Sequence, residues 1–411
     1  MIMVHNAPPV ARRRPALMLL ALVLVALNLR LAITSAASLL TLLTDAGALN
    51  SVTVVLIPAI PTAVFAVAGV STAKVAARLG VERTVAIGLA VLAAGLLIRA
   101  IPQPWVVVAG TVIATGGLAV VNILLPAVVR SHFGRSIGTV TTVYSTAMSL
   151  GAATAAATAV PVAIAVGSPT VGLAAWAIPA LLALVVWALV MPLPRPAAID
   201  AAPRAERSAR VGGAAGGRGY PTGTWLLASF FAIQSLLSYV VMGWLPTIAT
   251  DAGLSPERAG LLLGIAMAVG VPATVIIMPL ARGAKRMRLG FVIVGSATTA
   301  GVLGFVFAPL ALPELWAGLL GLGMCAFPLA LALIATIGRD AAEAARVSTA
   351  VQSIGYTVAT LGPLGAGALH QAVGSWTPVL ALLIVGALAQ ITVGVVLTSV
   401  VWRGVGSVRE V

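Results

Sequence analysis

Charge is scarce in this chain: only 8% of its residues carry one, against about 25% in an ordinary soluble domain. Hydrophobic residues make up 60%, which excludes a water-soluble fold and points to an all-α integral membrane protein. Negative charge is the scarcest of all. The ten acidic residues stand at 45, 82, 200, 206, 251, 257, 314, 340, 343 and 410, in expected loops or at span ends. A carboxylate proton relay at membrane depth is therefore excluded. A single cysteine, Cys325, permits neither a disulfide framework nor a thiolate metal site. No paired carboxylates, Cys/His dyad or metal-ligand cluster occurs at one depth, so the chain is not read as an enzyme and no cofactor is expected. The net charge of +14 is broken into short clusters between apolar runs. That spread argues against a nucleic-acid partner and for a lipid bilayer.

What is present is a series of apolar runs. At about 20 residues per crossing, they predict twelve transmembrane helices near 17–43, 52–73, 84–101, 105–128, 137–165, 171–191, 224–246, 258–280, 290–309, 314–337, 347–369 and 376–401. An even count puts both termini on one side. Placing them in the cytoplasm puts every Lys and Arg inside except Arg30, Arg99 and Arg258, as the positive-inside rule requires. The expected location is the cytoplasmic (inner) cell membrane, multi-pass. Arg12, Arg13 and Arg14 resemble the basic region of a signal peptide, but the following run is too long and is read as a retained first span. Trp105, Trp225, Trp244, Trp316, Trp376 and Trp402 lie near span ends, where an interfacial belt would sit.

Residues 193–222 interrupt the pattern with Pro, Gly, Ala and Arg, predicting a cytoplasmic linker between six-helix bundles at 1–192 and 223–411. The bundles carry a trace of internal repetition. Thr44-Asp45-Ala46-Gly47 recurs as Thr250-Asp251-Ala252-Gly253. The same offset sets Asn28 opposite Gln234, Gly117 opposite Gly323, and Arg30 opposite Leu236. Two parallel six-helix repeats joined by a linker are the plan of the major facilitator fold, with a substrate site at mid-membrane between them.

Specific stretches resemble one branch of that superfamily, the cyanate permease and 2-nitroimidazole transporter group. They are Asn28-Leu29-Arg30 with Ala32-Ile33-Thr34-Ser35, Ala77-Arg78-Leu79-Gly80-Val81-Glu82-Arg83, and Asn122-Ile123-Leu124-Leu125-Pro126. Ala147-Met148-Ser149-Leu150-Gly151, Gln234-Ser235-Leu236, Ser353-Ile354-Gly355-Tyr356 and Leu361-Gly362-Pro363-Leu364 continue the match. The superfamily's loop signature after the second span survives only in part, with Ala77 in place of its acid and Ala73 in place of its first glycine. The resemblance implies membrane transport of a small solute.

Arg30 stands near the middle of the first span. A charge there costs about 2.5–3.5 kcal/mol or more, and such residues face a bundle interior or a wet cavity. With no carboxylate at that depth to neutralise it, the guanidinium is expected to meet the substrate. Its planar fork suits a cyanate-like anion, a carboxylate or a nitro group. Thr34 and Ser38 share its helical face. Asn28 lies about 200° away and is either a substrate contact or interhelical glue. Gln234, with Ser238 one turn on, and the stripe of Gln352, Tyr356 and Thr360 are further candidates, as are Asn122, Tyr144 and Ser145. His132 and His370 stand at span ends and leave open a co-transported proton, with a solvated role as the alternative.

The function expected is secondary active transport of a small anionic or nitro-bearing solute by alternating access, the substrate being the small-molecule partner and a monomer sufficing. The alternative is a facilitator efflux pump for neutral drugs or metabolites. An embedded arginine repels cationic drugs.

Overall fold

The computed structural model describes residues 9–191, 220–337 and 341–406. Among these the architecture is wholly helical. The first group comprises α1 (Pro9–Asp45), α2 (Ser51–Leu79), α3 (Val81–Ile98), α4 (Pro104–Phe133), α5 (Ile137–Ala165), α6 (Pro169–Ala174) and α7 (Ala177–Val190). The second comprises α8 (Thr224–Asp251), α9 (Pro256–Ile277), α10 (Ala284–Phe307), α11 (Pro313–Gly323), α12 (Ala326–Ile337), α13 (Ala341–Val373) and α14 (Thr377–Gly406). The pairs α6–α7 and α11–α12 each make one broken crossing. Nearly all of the expected linker lies outside the described residues.

Among the described residues, eleven segments are long and apolar enough to cross a membrane. The expected eleventh crossing, α13, is not among them, although it is 33 residues long. Its polar residues dilute the run, which suits a helix turned toward other helices and water rather than lipid.

The internal repeat reappears as identical local chemistry. Thr44 and Thr250 each donate a hydroxyl to the carbonyl one turn back, from Leu40 and Pro246. Each helix then ends on a glycine with φ of +69° (Gly47) or +103° (Gly253), the left-handed conformation glycine adopts without penalty. Ser255 caps α9 by accepting from the Arg258 amide, and Asn50 and Thr53 form a reciprocal capping box at α2.

Packing between helices relies on missing side chains. A Cβ on Gly151 of α5 would stand 2.0 Å from the Leu27 carbonyl oxygen of α1, and one on Gly117 of α4 would stand 2.3 Å from the Gly88 oxygen of α3. Gly323, the repeat mate of Gly117, meets the side-chain hydroxyl of Thr298 instead. Backbones approach this closely only at small residues.

The two groups meet at one end. A large apolar core takes in α1 to α7 and continues into the second group through Val240, Trp244, Ile248, Leu262, Ala266 and Leu380, all toward the end remote from the linker. A second, separate core, with Phe230, Phe231, Phe291, Leu333 and Val351, fills the linker-side end of the second group alone. Cross-group contacts follow that division. Gly243 sits against Pro58, Gly367 against Val55, and Gly260 and Gly264 against the carbonyls of Ala156 and Ala153. Gln371 donates to the Ser51 carbonyl at the far rim. The groups are thus joined by a shared core at the far end, while the linker-side core of the second group stands apart from the first.

Two sequence expectations need correction. Trp244 and Trp376 are buried rather than interfacial. Trp244 donates to the Pro363 carbonyl at 2.9 Å. Trp376 donates to Asp251 Oδ2 at 2.7 Å and stacks on His370. An indole is bulky enough to fill a helix junction once its N–H has an acceptor. Arg99, at the end of α3, is wholly buried. Arg258 pairs with Glu314 at 2.8 Å on an exposed rim. Such pairs contribute about 0–1 kcal/mol, so Arg258→Gln should leave the melting temperature of the purified protein within about 2 °C of the parent.

Candidate substrate site

Arg30 lies at mid-length of α1 and is half-buried. Among the described residues its guanidinium forms neither a hydrogen bond nor an ion pair; only its backbone carbonyl is engaged, accepting from the Thr34 hydroxyl at 3.2 Å. Two tyrosines of the other group, Tyr239 of α8 and Tyr356 of α13, lie within electrostatic reach of Arg30. Those rings meet edge-on, 6.4 Å apart, and Tyr356 rests against Phe231 at 5.7 Å. A cation from the first group and two phenols from the second thus share one neighbourhood. Two O–H donors, one unpaired guanidinium and aromatic walls form a polar spot suited to a small acceptor-rich solute.

The remaining predicted residues divide. Gln352 stands one turn before Tyr356 on α13, half-buried, its amide donating to Ser348 Oγ at 2.6 Å. Thr360, one turn beyond, bonds to the Tyr356 carbonyl. Tyr144 of α5 is half-buried. Asn122 of α4 is exposed and makes no hydrogen bond among the described residues.

Asn28, Thr34 and Gln234, expected at the site, are engaged by protein instead. Asn28 is 2% exposed, and its amide donates to Leu24 and, across to α7, to the Pro179 carbonyl at 3.1 Å. Thr34 and Ser38 donate to the Ala152 and Ala156 carbonyls of α5, each at 3.0 Å. Gln234 is 2% exposed, donates to Ser238 and accepts from Gln390 of α14. The reason is common to all three. A small polar side chain on a face that touches a neighbouring helix satisfies itself there, and only Arg30 is too long and too charged to do so.

Sequence reasoning missed Tyr239 and Arg99. Repeat symmetry held a signal for the first. Leu236 is the mate of Arg30, and Tyr239 follows it by three residues, on the same face of its helix. Arg99 was hidden by its place at a span end, although its neighbours Ile98, Ala100 and Ile101 are apolar.

The histidines are remote from Arg30. His132 lies 3.9 Å from Glu82 at the linker end of α4, and His370 lies 3.6 Å from Asp251 at the far end of α13.

A family model described as Major Facilitator Superfamily matches residues 18–363. The chain belongs to that superfamily. This facilitator is 31% identical to the 2-nitroimidazole transporter of Escherichia coli K12, over 87% of its own length and 88% of the relative's. It is 27% identical to the cyanate transport protein CynX of the same organism, over 87% and 91%. Among solved structures it shares its fold with a bacterial homologue of the human lysosomal transporter Spinster (TM-score 0.71, 13% identity, 97% and 99% covered). A D-xylose-proton symporter is also similar (TM-score 0.66, 16% identity, 95% and 96% covered). The facilitator is a multi-pass membrane transporter and not an enzyme.

Proposed function

We propose that this facilitator moves a small anionic or nitro-bearing solute across the cytoplasmic membrane by alternating access of its two helix groups. The observation that carries the reading is Arg30, a mid-span guanidinium with no protein acceptor among the described residues, with Tyr239 and Tyr356 of the other group in its electrostatic reach. An unpaired cation at that depth is costly, and an acceptor-rich solute offsets the cost on arrival. The similarity to a 2-nitroimidazole transporter and a cyanate transport protein supports the same solute class. Arg30 and Tyr356 are the central contacts, Tyr239 joins them, and Gln352, Asn122 and Tyr144 edge the cleft. The bundles run over 1–192 and 223–411 about the linker at 193–222. With both termini cytoplasmic, the cleft opens inward.

Proteoliposomes containing the purified chain test this. Counterflow of labelled cyanate or 2-nitroimidazole above empty liposomes is the expected result, and flux of neither abandons the reading.

Alternating access requires the far-end seam to part. A side chain at Gly260 would press on the Ala156 carbonyl, 2.7 Å from the new Cβ. Gly260→Leu is expected to wedge the groups apart there. In a Cys325→Ser background, a cysteine replacing buried Ile57 should react with a membrane-impermeant maleimide at least about tenfold faster once the wedge is present, since about 1.4 kcal/mol of state bias suffices. An equal rate counts against a moving seam.

A further inference from the structure

We infer that Arg99 forms a second anion-binding station on the closed side of the seam, an inference that rests on the anion-transport reading above. Arg99 ends α3 and is 0% exposed. Its stem crosses α4 at Gly110, where a Cβ would stand 3.0 Å from Arg99 Cγ. The guanidinium then enters the interior, where Nη1 donates to the Ala32 carbonyl of α1 at 3.2 Å. Nε and Nη2 are fully buried and have no hydrogen-bond partner. Arg99 lines a narrow hollow together with Ile33 and Ala37 of α1, Pro58 and Pro61 of α2, Thr111 of α4 and Gly243 of α8.

Three features make this a site rather than a strut. Two unpaired N–H groups of a guanidinium cost far more than one carbonyl bond returns, because a buried charge needs both a partner and full hydrogen bonding. The adjacent Nε and Nη2 donors form the fork that binds a carboxylate, nitrate-like or cyanate-like anion side-on. The hollow also lies on the pathway. Ile33 and Ala37 follow Arg30 by three and seven residues, so it begins about 5–10 Å beyond Arg30 along α1. Its far wall includes the Gly243–Pro58 contact that closes the seam. A small monoanion released from Arg30 as the seam parts meets Arg99 next.

Nitrate binding to the purified full-length chain, read by thermal shift across a concentration series, provides the test. In the Gly260→Leu background, Arg99→Gln is expected to weaken apparent nitrate affinity at least tenfold, and Arg30→Gln by much less. In the parent background the order reverses. If Arg99→Gln lowers the melting temperature but leaves nitrate affinity unchanged in both backgrounds while Arg30→Gln abolishes it, Arg99 is a strut and the inference falls with the Arg30 reading intact. If neither nitrate nor cyanate stabilises any form, anion transport itself is wrong. Should Arg99→Gln not fold, Arg99→Lys keeps the charge and loses the fork. It is then expected to shift preference from planar nitrate toward spherical chloride in the wedged background, and an unchanged preference overturns the station.

Discussion

Arg30→Gln is expected to weaken solute affinity by about 10- to 150-fold, the loss of one charge-assisted interaction of about 1.5–3 kcal/mol. Transport at low solute concentration should fall in proportion. Stability should move the other way. Because the Arg30 guanidinium has no hydrogen bond or ion pair among the described residues, its replacement strands no partner, and removing an uncompensated charge from mid-span relieves a cost of about 2.5–3.5 kcal/mol or more. The purified variant should therefore melt at or above the parent temperature while losing solute-induced stabilisation. Initial-rate uptake in proteoliposomes, with melting curves in the presence and absence of cyanate, checks both halves. A variant that transports normally removes Arg30 from the mechanism. One that melts far lower reveals a structural duty instead.

Gly151→Leu should have the largest effect on folding. The new Cβ would lie 2.0 Å from the Leu27 carbonyl oxygen and 2.9 Å from Leu27 Cα, and a backbone cannot yield as a flexible side chain does. Overpacking ordinarily costs about 1–3 kcal/mol, occasionally more. Here the clash also forces α1 and α5 apart, breaking the hydroxyl-to-carbonyl bonds from Thr34 and Ser38. The expected outcome is loss of most monodisperse protein in size-exclusion chromatography, against near-parental behaviour for a substitution at Gly116, whose Cβ position is open. Equal yields from the two variants would mean the α1–α5 seam is not closely packed.

Much of the fold was legible because lipid imposes one-dimensional rules. Run length marks crossings, and the Thr-Asp-Ala-Gly repeat marks equivalent helix ends, each ending on a left-handed glycine. Arg30 was legible for the same reason, since depth in an apolar run makes any charge conspicuous. Polar residues of ordinary size were less informative. Asn28, Thr34, Gln234 and Tyr356 all look like cavity residues by spacing. Which of them meets a carbonyl on a neighbouring helix depends on helix rotation and on distances that glycines such as Gly151 set across the chain.

By itself, then, the sequence determined a transporter of two helical groups with one embedded cation in its first span, because hydrophobic length and charge placement act locally. The tertiary structure decided the rest: that the groups share a core at the far end, that Tyr239 packs edge-on to Tyr356, and that Arg99 is interior. Those are outcomes of which faces pack together, and packing is settled between segments that lie far apart along the chain.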